Sequence, residues 1–166
     1  MNKRIFSLGV IVVSLGFVTG IVHLQEVFAE GTEPMMTSAA AASAEYMPVA
    51  GFPQGADLSV LYGDPSAGAS EMYFRLQPGV RVPIHFHTSP ERLVGIQGTL
   101  TMEYPDGSKA DINSGDYMLM PSKMPHAATC SAAGPACIAY LYWEQAFDVT
   151  WVNDPPENPN PMPTGS

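Results

Sequence analysis

Residues 79–98, GVRVPIHFHTSPERLVGIQG, contain three side chains that can bind a metal ion, His85, His87 and Glu91. Side chains two residues apart on a β-strand point to the same face, so His85 and His87 face the same way. Glu91 follows a Thr-Ser-Pro turn, from which its carboxylate can return to the same space. We therefore expect these three side chains to converge.

A second stretch, residues 115–126 (GDYMLMPSKMPH), adds His126. The sequence has four histidines, and the remaining one, His23, lies in a predicted leader, so every histidine of the mature chain belongs to this set. A single buried histidine is more often a satisfied core residue, but three at compatible spacings favour a shared site. Imidazole and carboxylate donors suit Mn, Fe, Ni, Cu or Zn better than Ca or Mg. The predicted cofactor is thus a divalent transition metal held by His85, His87, Glu91 and His126.

The two stretches resemble the two motifs of the cupin family. Residues 79–98 fit the first motif, Gly, five residues, His-x-His, three or four residues, Glu, six residues and Gly. Residues 115–130 fit the second, except that Lys123 replaces a Gly and Cys130 replaces an Asn, neither of which is a ligand position in the family. Lys123 leaves the shape of its turn open, because Gly there would permit a positive φ. The resemblance covers about residues 56–153 and implies a double-stranded β-helix, or jelly-roll, barrel with the metal in one mouth.

Strand signals recur along residues 56–153 at the spacing of sandwich and barrel folds. No part of this range has the pattern of a long amphipathic helix, so the predicted fold class is all-β. Besides the His-x-His strand, the predicted strands are 58–62, 71–76, 92–97, 99–104, 109–112, 117–120, 125–130, 137–143 and 147–152.

The N-terminal residues 1–29 have the pattern of a secretory signal peptide. Lys3 and Arg4 precede an apolar run, and Val-Phe-Ala at 27–29 offers small residues for cleavage. The alternative is an uncleaved anchor, because about 18 apolar residues can just span a bilayer. Cleavage predicts a secreted or periplasmic protein without membrane attachment.

The segments on either side of the predicted barrel are expected to contain little regular structure. Residues 30–55 have the composition of a flexible linker, with one or two helical turns across 38–46. Residues 154–166 form a Pro-rich tail that should be disordered or lie along the surface.

The charge of the chain excludes some partners. The full sequence has a net charge of −9, and loss of residues 1–29 leaves 5 basic and 15 acidic residues, a net charge of −10. So acidic a protein should repel nucleic acid and anionic lipid surfaces.

The two cysteines, Cys130 and Cys137, flank Ser-Ala-Ala-Gly-Pro-Ala, which has the composition of a hairpin loop. Opposed cysteines in an exported protein predict a disulfide, which would stabilise the fold by about 2 to 3 kcal/mol on the chain-entropy model. Free thiols or a soft-metal site are the alternatives, and Cys130 could face the interior because it is four residues after His126.

The strand before the first motif supplies two candidate catalytic residues, Tyr73 and Arg75. Arg75 could hold a substrate carboxylate through paired hydrogen bonds, or it could face outward and pair with a surface acid. Glu91 could serve as general base rather than as ligand. Met118, Met120 and Tyr140 are further candidates for the pocket wall.

Two classes of function follow from the cupin resemblance. One is a metal-dependent enzyme of the oxygenase or decarboxylase kind, which would act on a small organic molecule. The other is a binding or sensing module with a structural metal, because cupins also include sugar isomerases and seed storage proteins. Polar groups around an open cavity would favour the enzyme, and a mouth closed by Met and aromatic side chains would favour the structural site. A homodimer is a further expectation, since small cupins often pair through added edge strands.

Overall fold

The computed structural model of the protein describes residues 40–162, and the regular structure in this range is almost entirely β. Short runs of alternating apolar and polar residues, separated by turns rich in Gly, Pro and Asp, form the strands. In chain order the strands are β1 Met47–Pro48, β2 Ala56–Gly63, β3 Ser70–Leu76, β4 Arg81–Phe86, β5 Glu91–Gln97, β6 Leu100–Glu103, β7 Lys109–Ile112, β8 Tyr117–Met120, β9 His126–Cys130, β10 Cys137–Trp143 and β11 Thr150–Trp151.

The strands form two antiparallel sheets. One has six strands in the order β1-β2-β3-β10-β5-β8, and the other has five in the order β11-β4-β9-β6-β7. The chain passes repeatedly between the sheets, as in a jelly roll. The predicted all-β fold with two facing sheets is confirmed.

Alternation along the strands places the hydrophobic core between the sheets. On β3, Met72 and Leu76 are buried on the inner face, whereas Tyr73 and Arg75 occupy the alternate positions and are only partly buried. On β10, Leu141 and its inward neighbours are buried in the same way. The polar face of β3 is consequently turned away from the interior.

The predicted linker differs from the structure over its described part. Residues Ala41–Ser43 form a 3-10 helix, and β1 pairs with β2. Val49 and Phe52 are 6% and 3% exposed and belong to the hydrophobic core. The segment from β1 onward therefore packs as part of the fold, and the prediction of a flexible linker up to residue 55 is wrong for it.

The Pro-rich tail also contributes one core contact. Asn160 is 6% exposed, and its backbone N–H donates to the carbonyl oxygen of Phe52 at 2.7 Å. Most of residues 152–162 are exposed, in agreement with the expectation of a surface segment. The tail thus lies along the surface and is fastened to the loop between β1 and β2.

The turn between β8 and β9 contains a residue with a positive φ angle that is lysine rather than glycine. Lys123 has a φ of 61°, and its N–H donates to the carbonyl oxygen of His87 at 2.8 Å. This hydrogen bond holds the turn that leads to His126 against the end of β4.

The predicted disulfide is present between Cys130 and Cys137, whose Cα atoms are 5.6 Å apart. It joins the end of β9 in the five-stranded sheet to the start of β10 in the six-stranded sheet. The loop between the cysteines therefore crosses between the sheets, and the prediction that it closes a hairpin is wrong. Both side chains are buried, and neither is a free thiol.

The predicted leader, residues 1–29, lies outside the described residues. Within the range 40–162, no helix has both the length and the apolar character needed to cross a membrane.

Candidate metal centre

Four buried side chains meet at one end of the space between the sheets. His85 on β4 lies directly opposite His126 on β9, because these two residues are register partners. His87 follows the last residue of β4, and Glu91 is the first residue of β5 in the other sheet. The exposed fractions are 3% for His85, 5% for His87, 8% for Glu91 and 2% for His126.

The distances between these side chains fit a shared ion. One ring nitrogen from each of His85, His87 and His126 lies within 4.8 Å of the other two. Glu91 Oε2 lies 3.3 Å from His126 Nε2 and 3.8 Å from His87 Nε2. The structure therefore brings together the four residues that the sequence predicts as ligands.

Backbone carbonyl groups fix the orientation of all three imidazoles. His85 Nδ1 lies 2.7 Å from the carbonyl oxygen of Pro83, and His126 Nδ1 lies 2.9 Å from that of Met124. His87 Nδ1 is hydrogen-bonded to the carbonyl oxygen of Asp148. Since a carbonyl oxygen only accepts, each Nδ1 must carry its proton, and each neutral ring presents the Nε2 lone pair to the centre.

Asp148 was not predicted as part of this site. Its carboxylate accepts a hydrogen bond from Thr88 Oγ1 at 2.9 Å and from the Thr88 N–H at 3.0 Å, while its carbonyl orients His87. Such outer contacts fix the ring orientation of metal-binding histidines. Nothing in the sequence pattern reveals them, because Asp148 is far along the chain and acts through its backbone.

Glu91 supplies negative charge that the neutral imidazoles do not balance. Its Oε2 atom is buried and accepts no hydrogen bond. Burial acts to raise the pKa of this carboxyl, but the His126 contact and the other imidazoles outweigh burial and hold the pKa below its ordinary value. Either a proton shared with His126 Nε2 or a metal cation can satisfy this oxygen.

Burial affects the histidines differently. It lowers the pKa of His85 to about 3 and also lowers that of His87, so both rings are neutral at pH 7. Burial also acts to lower the pKa of His126, but the Glu91 carboxylate, 3.3 Å from Nε2, raises this pKa above the ordinary value.

The donor set fits a divalent transition metal. Three imidazole nitrogens and one carboxylate suit Mn, Fe, Ni, Cu or Zn, and they are too few and too nitrogen-rich for Ca or Mg. A cation would also satisfy the unpaired Glu91 oxygen. Cys130 is committed to the disulfide and is not a donor.

A small cavity of about 30 Å³ adjoins the four side chains. Its other lining residues are apolar: Phe52, Phe74, Val82, Leu93, Leu100, Met102, Ala128, Ala139, Leu141 and Phe147. Among the described residues that line it, Glu91 is the one acidic group, and there is no lysine or arginine. No pattern in the sequence predicts a pocket role for Phe52, which lies in the segment predicted to be a linker.

The other candidate residues do not line this cavity. Arg75 donates to Asp57 Oδ2 at 2.9 Å, and its guanidinium carbon lies 3.9 Å from the centre of the Tyr46 ring. Tyr73 and Tyr140 are register partners on β3 and β10. Because Tyr73 alternates with buried Met72, the catalytic assignments of Tyr73 and Arg75 are not supported by their positions.

Met118 and Met120 are core residues rather than pocket residues. Met120 is 1% exposed, and Met118 packs against the core with its sulfur 3.6 Å from Tyr104 Oη. The end of β8 therefore lies beside Glu91, since Met120 is the register partner of Glu91.

A model of the ChrR cupin-like domain family matches residues 22–144. No curated protein matches the sequence significantly. Among solved structures, the polyketide cyclase RemF from Streptomyces resistomycificus aligns with a TM-score of 0.60 and 19% identity, over 72% of this chain and 87% of that one.

Two other solved structures show the same fold at similar identity. The DMSP lyase DddQ from Ruegeria pomeroyi DSS-3 aligns with a TM-score of 0.55 and 16% identity, over 73% of each chain. An RmlC-like cupin from Shewanella frigidimarina NCIMB 400 aligns with a TM-score of 0.51 and 16% identity, over 68% of this chain and 96% of that one.

Proposed function

Because this chain belongs to the ChrR cupin-like domain family, we propose that it is a metal-dependent enzyme acting on a small, oxygen-bearing organic molecule. His85, His87 and His126 would hold one divalent transition metal, together with Glu91. The reaction class that we propose is that of a lyase, which includes decarboxylation.

The observation that carries the proposal is the shared orientation of the three imidazoles. Each Nδ1 is bonded to a backbone carbonyl, so each Nε2 lone pair is directed to the same small volume. Each buried ring thus has one bonded nitrogen, Nδ1, and the Nε2 atoms that face one another need a proton or a cation between them.

The metal, when bound, would polarise a substrate oxygen as a Lewis acid. Glu91 is the one residue at the site that can accept a proton as a carboxylate at neutral pH, because its pKa is held low. We propose that Oε2, when it is detached from the metal, accepts a proton from the substrate, with His126 Nε2 beside it at 3.3 Å. Apolar side chains around the cavity would exclude bulk water from this transfer.

The fold neighbours support a lyase only by analogy. One is named a DMSP lyase and another a polyketide cyclase, and both names describe reactions on small organic molecules. A dioxygenase is the related alternative, which an iron centre in the native protein would favour.

A second candidate function is a binding or sensing module with a structural metal. It is favoured by the wall of the cavity, where Phe52, Phe74 and Phe147 lie in place of polar groups. Enzyme and module differ in one measurable respect, because the enzyme converts a bound molecule, whereas the module returns it unchanged.

Elemental analysis of the protein purified from its native compartment tests the metal site. We expect one transition metal ion per chain, and we expect His85→Ala to lose it. A second variant, Glu91→Gln, tests the carboxylate, and its matched control is Glu144→Gln, since Glu144 is an exposed partner of Arg92. If His85→Ala retained the full metal content, the proposed site would be rejected.

Glu91→Gln separates the two roles of the carboxylate. Loss of metal would identify Glu91 as a ligand, and retention of metal with loss of turnover would identify it as the base. Full turnover with full metal content would contradict both roles.

We also propose that the protein is exported and loses residues 1–29. The disulfide supports this proposal, because disulfides persist in oxidising compartments. N-terminal sequencing of the native protein should begin at Glu30, whereas a first residue within 1–20 would contradict cleavage at this site.

A further inference from the structure

The loop between β1 and β2 places one aromatic side chain, Phe52, in the wall of the cavity. Phe52 is 3% exposed, and its ring centre lies 6.1 Å from that of His85. Three more aromatic rings surround it, at centre-to-centre distances of 6.2 Å for Phe74, 5.9 Å for Phe147 and 5.3 Å for Trp151. Phe52 is therefore part of a buried aromatic wall of the cavity beside His85.

The loop that carries Phe52 is held by the C-terminal segment, and Asn160 is the residue whose side chain bonds to it; Asn158 contributes only its backbone carbonyl, which accepts from the Gln54 N–H at 3.3 Å. The Nδ2 group of Asn160 donates to the carbonyl oxygens of Val49 at 3.0 Å, Pro53 at 3.3 Å and Ala56 at 3.0 Å. Its backbone N–H donates to the carbonyl oxygen of Phe52 at 2.7 Å, and its own carbonyl accepts from the Gly51 N–H at 3.1 Å. The bonds of Asn160 thus reach both sides of Phe52.

The chemistry of this contact requires a neutral amide. Three carbonyl oxygens converge on Asn160 Nδ2, and buried carbonyl groups need donors. Aspartate has nearly the same shape but would place acceptor oxygens and a negative charge against those carbonyls. Asn160→Asp should therefore open the loop, whereas the same change at exposed Asn158 should not.

We propose that Phe52 limits the size of the molecules that reach the metal site and that Asn160 is the residue that positions Phe52. The inference rests on the proposed function in one respect: a metal ion is bound at the site, and the entering molecules bind to that ion. It names the substrate class more narrowly: compact molecules enter, and molecules with an added aromatic ring are excluded until Phe52 is shortened or released.

The test compares a small and a bulky ligand on the cobalt-loaded protein. Azide and benzohydroxamate are titrated while the visible absorption of the cobalt centre is recorded. We expect the wild type to bind azide and to bind benzohydroxamate poorly. In Phe52→Leu and Asn160→Asp, the affinity for benzohydroxamate should rise about tenfold relative to that for azide, as for other changes of pocket size.

Asn158→Asp is the control and should keep the wild-type ratio of affinities. An unchanged ratio in Phe52→Leu would overturn the size limit. An unchanged ratio in Asn160→Asp would overturn the positioning role. If Asn160→Asp does not fold, Asn160→Ala takes its place, because it removes the donors without adding charge.

A second measurement needs no metal. The chain has two tryptophans, so Trp151→Phe leaves Trp143, which is 0% exposed and lies 4.6 Å from the His87 ring. In this background, Asn160→Asp should increase the quenching of Trp143 fluorescence by acrylamide, and Asn158→Asp should not. The two proposals can thus fail separately. If the wild type takes up no cobalt, the proposed function is rejected. If quenching of Trp143 is unchanged in Asn160→Asp, the positioning role of Asn160 is rejected.

Discussion

Lys123 adopts a backbone conformation that costs an L-residue about 1–2 kcal/mol. Its φ is 61°, and its N–H bond to His87 holds it there. Glycine removes this strain but loses more conformational entropy on folding, so Lys123→Gly should stabilise the protein by about 0.5 to 1 kcal/mol. Urea unfolding measures the change.

The matched control for this change is Lys123→Ala. It removes the same amine but keeps a Cβ atom at positive φ, so it should give no gain in stability. Equal stabilisation by the Ala and Gly variants would show that the side chain, rather than the backbone strain, is responsible.

Metal binding should displace the proton that lies between His126 and Glu91. Glu91 raises the pKa of His126 above its ordinary value, so His126 keeps its proton to a higher pH than a free imidazole does, and metal binding must displace that proton where it is present. We expect metal binding to release protons, and the number released per ion should increase as the pH falls toward the raised pKa of His126. Metal affinity should fall as the pH falls through the raised pKa of His126 and should become constant above it.

Calorimetry in buffers of different ionisation enthalpy counts the released protons. In Glu91→Gln the pKa of His126 loses its main support, and the number released near pH 7 should decrease. Binding without proton release in the wild type would contradict the shared proton.

The sequence predicts the four donors from their spacing, whereas it leaves open whether Arg75 faces the pocket or a surface acid. Two-residue spacing and a short turn bring His85, His87 and Glu91 together once the register turns His85 to the inner face. The direction of the Arg75 side chain is set by strand β3, where Met72 and Leu76 are buried on the opposite face. Its register partner Asp57 then neutralises it on the outer face.

Strand β5 depends on a glycine at its centre, Gly95. An added Cβ at this position would overlap the carbonyl oxygen of Asn113. The backbone cannot yield without losing the bonds from the Gly95 N–H to Asp116 and from the Gly115 N–H to Gly95. Gly95→Ala should therefore destabilise the protein by at least about 2 kcal/mol in urea unfolding.

Gly68→Ala is the control for Gly95→Ala. An added Cβ at Gly68 meets no atom within 4 Å, so the change should have little effect on stability. Tolerance of alanine at both positions would show that the turn around Asn113 can move away.

The disulfide links β9 of the five-stranded sheet to β10 of the six-stranded sheet. It closes a short loop, so the variant with both Cys130→Ala and Cys137→Ala should lose about 2 to 3 kcal/mol on the chain-entropy model. Because Cys130 is not a donor to the metal centre, this variant should retain the wild-type metal content. A reductant should destabilise the wild type and leave the double variant unchanged, and a response of the double variant would point to another cause.

At the level of elements, the sequence predicts strands β2 to β10 well because each is bounded by its own turn signals. It misses β1, which has two residues and no alternation to detect. It also misses the burial of Phe52, because the partner that closes its loop, Asn160, lies more than a hundred residues later. Local pattern carries no information about such a contact.

The metal centre should contribute to the stability of the whole fold, because its donors come from both sheets. His85 and His126 lie on β4 and β9 of the five-stranded sheet, and Glu91 lies on β5 of the six-stranded sheet. An ion bound by all three joins the sheets at one end of the core. Binding to the folded state alone stabilises it by about 2.7 kcal/mol at a free concentration of a hundred times Kd.

Removal of the metal by a chelator should consequently lower the Tm by about 5 to 10 °C for a chain of this size. Scanning calorimetry of the native protein, with and without chelator, measures the shift, and added metal should reverse it. His85→Ala, which lacks a donor, should show no response to the chelator. A wild type that lost its metal but kept its Tm would show that the ion does not join the sheets, because donors from opposite sheets cannot share an ion without resisting their separation.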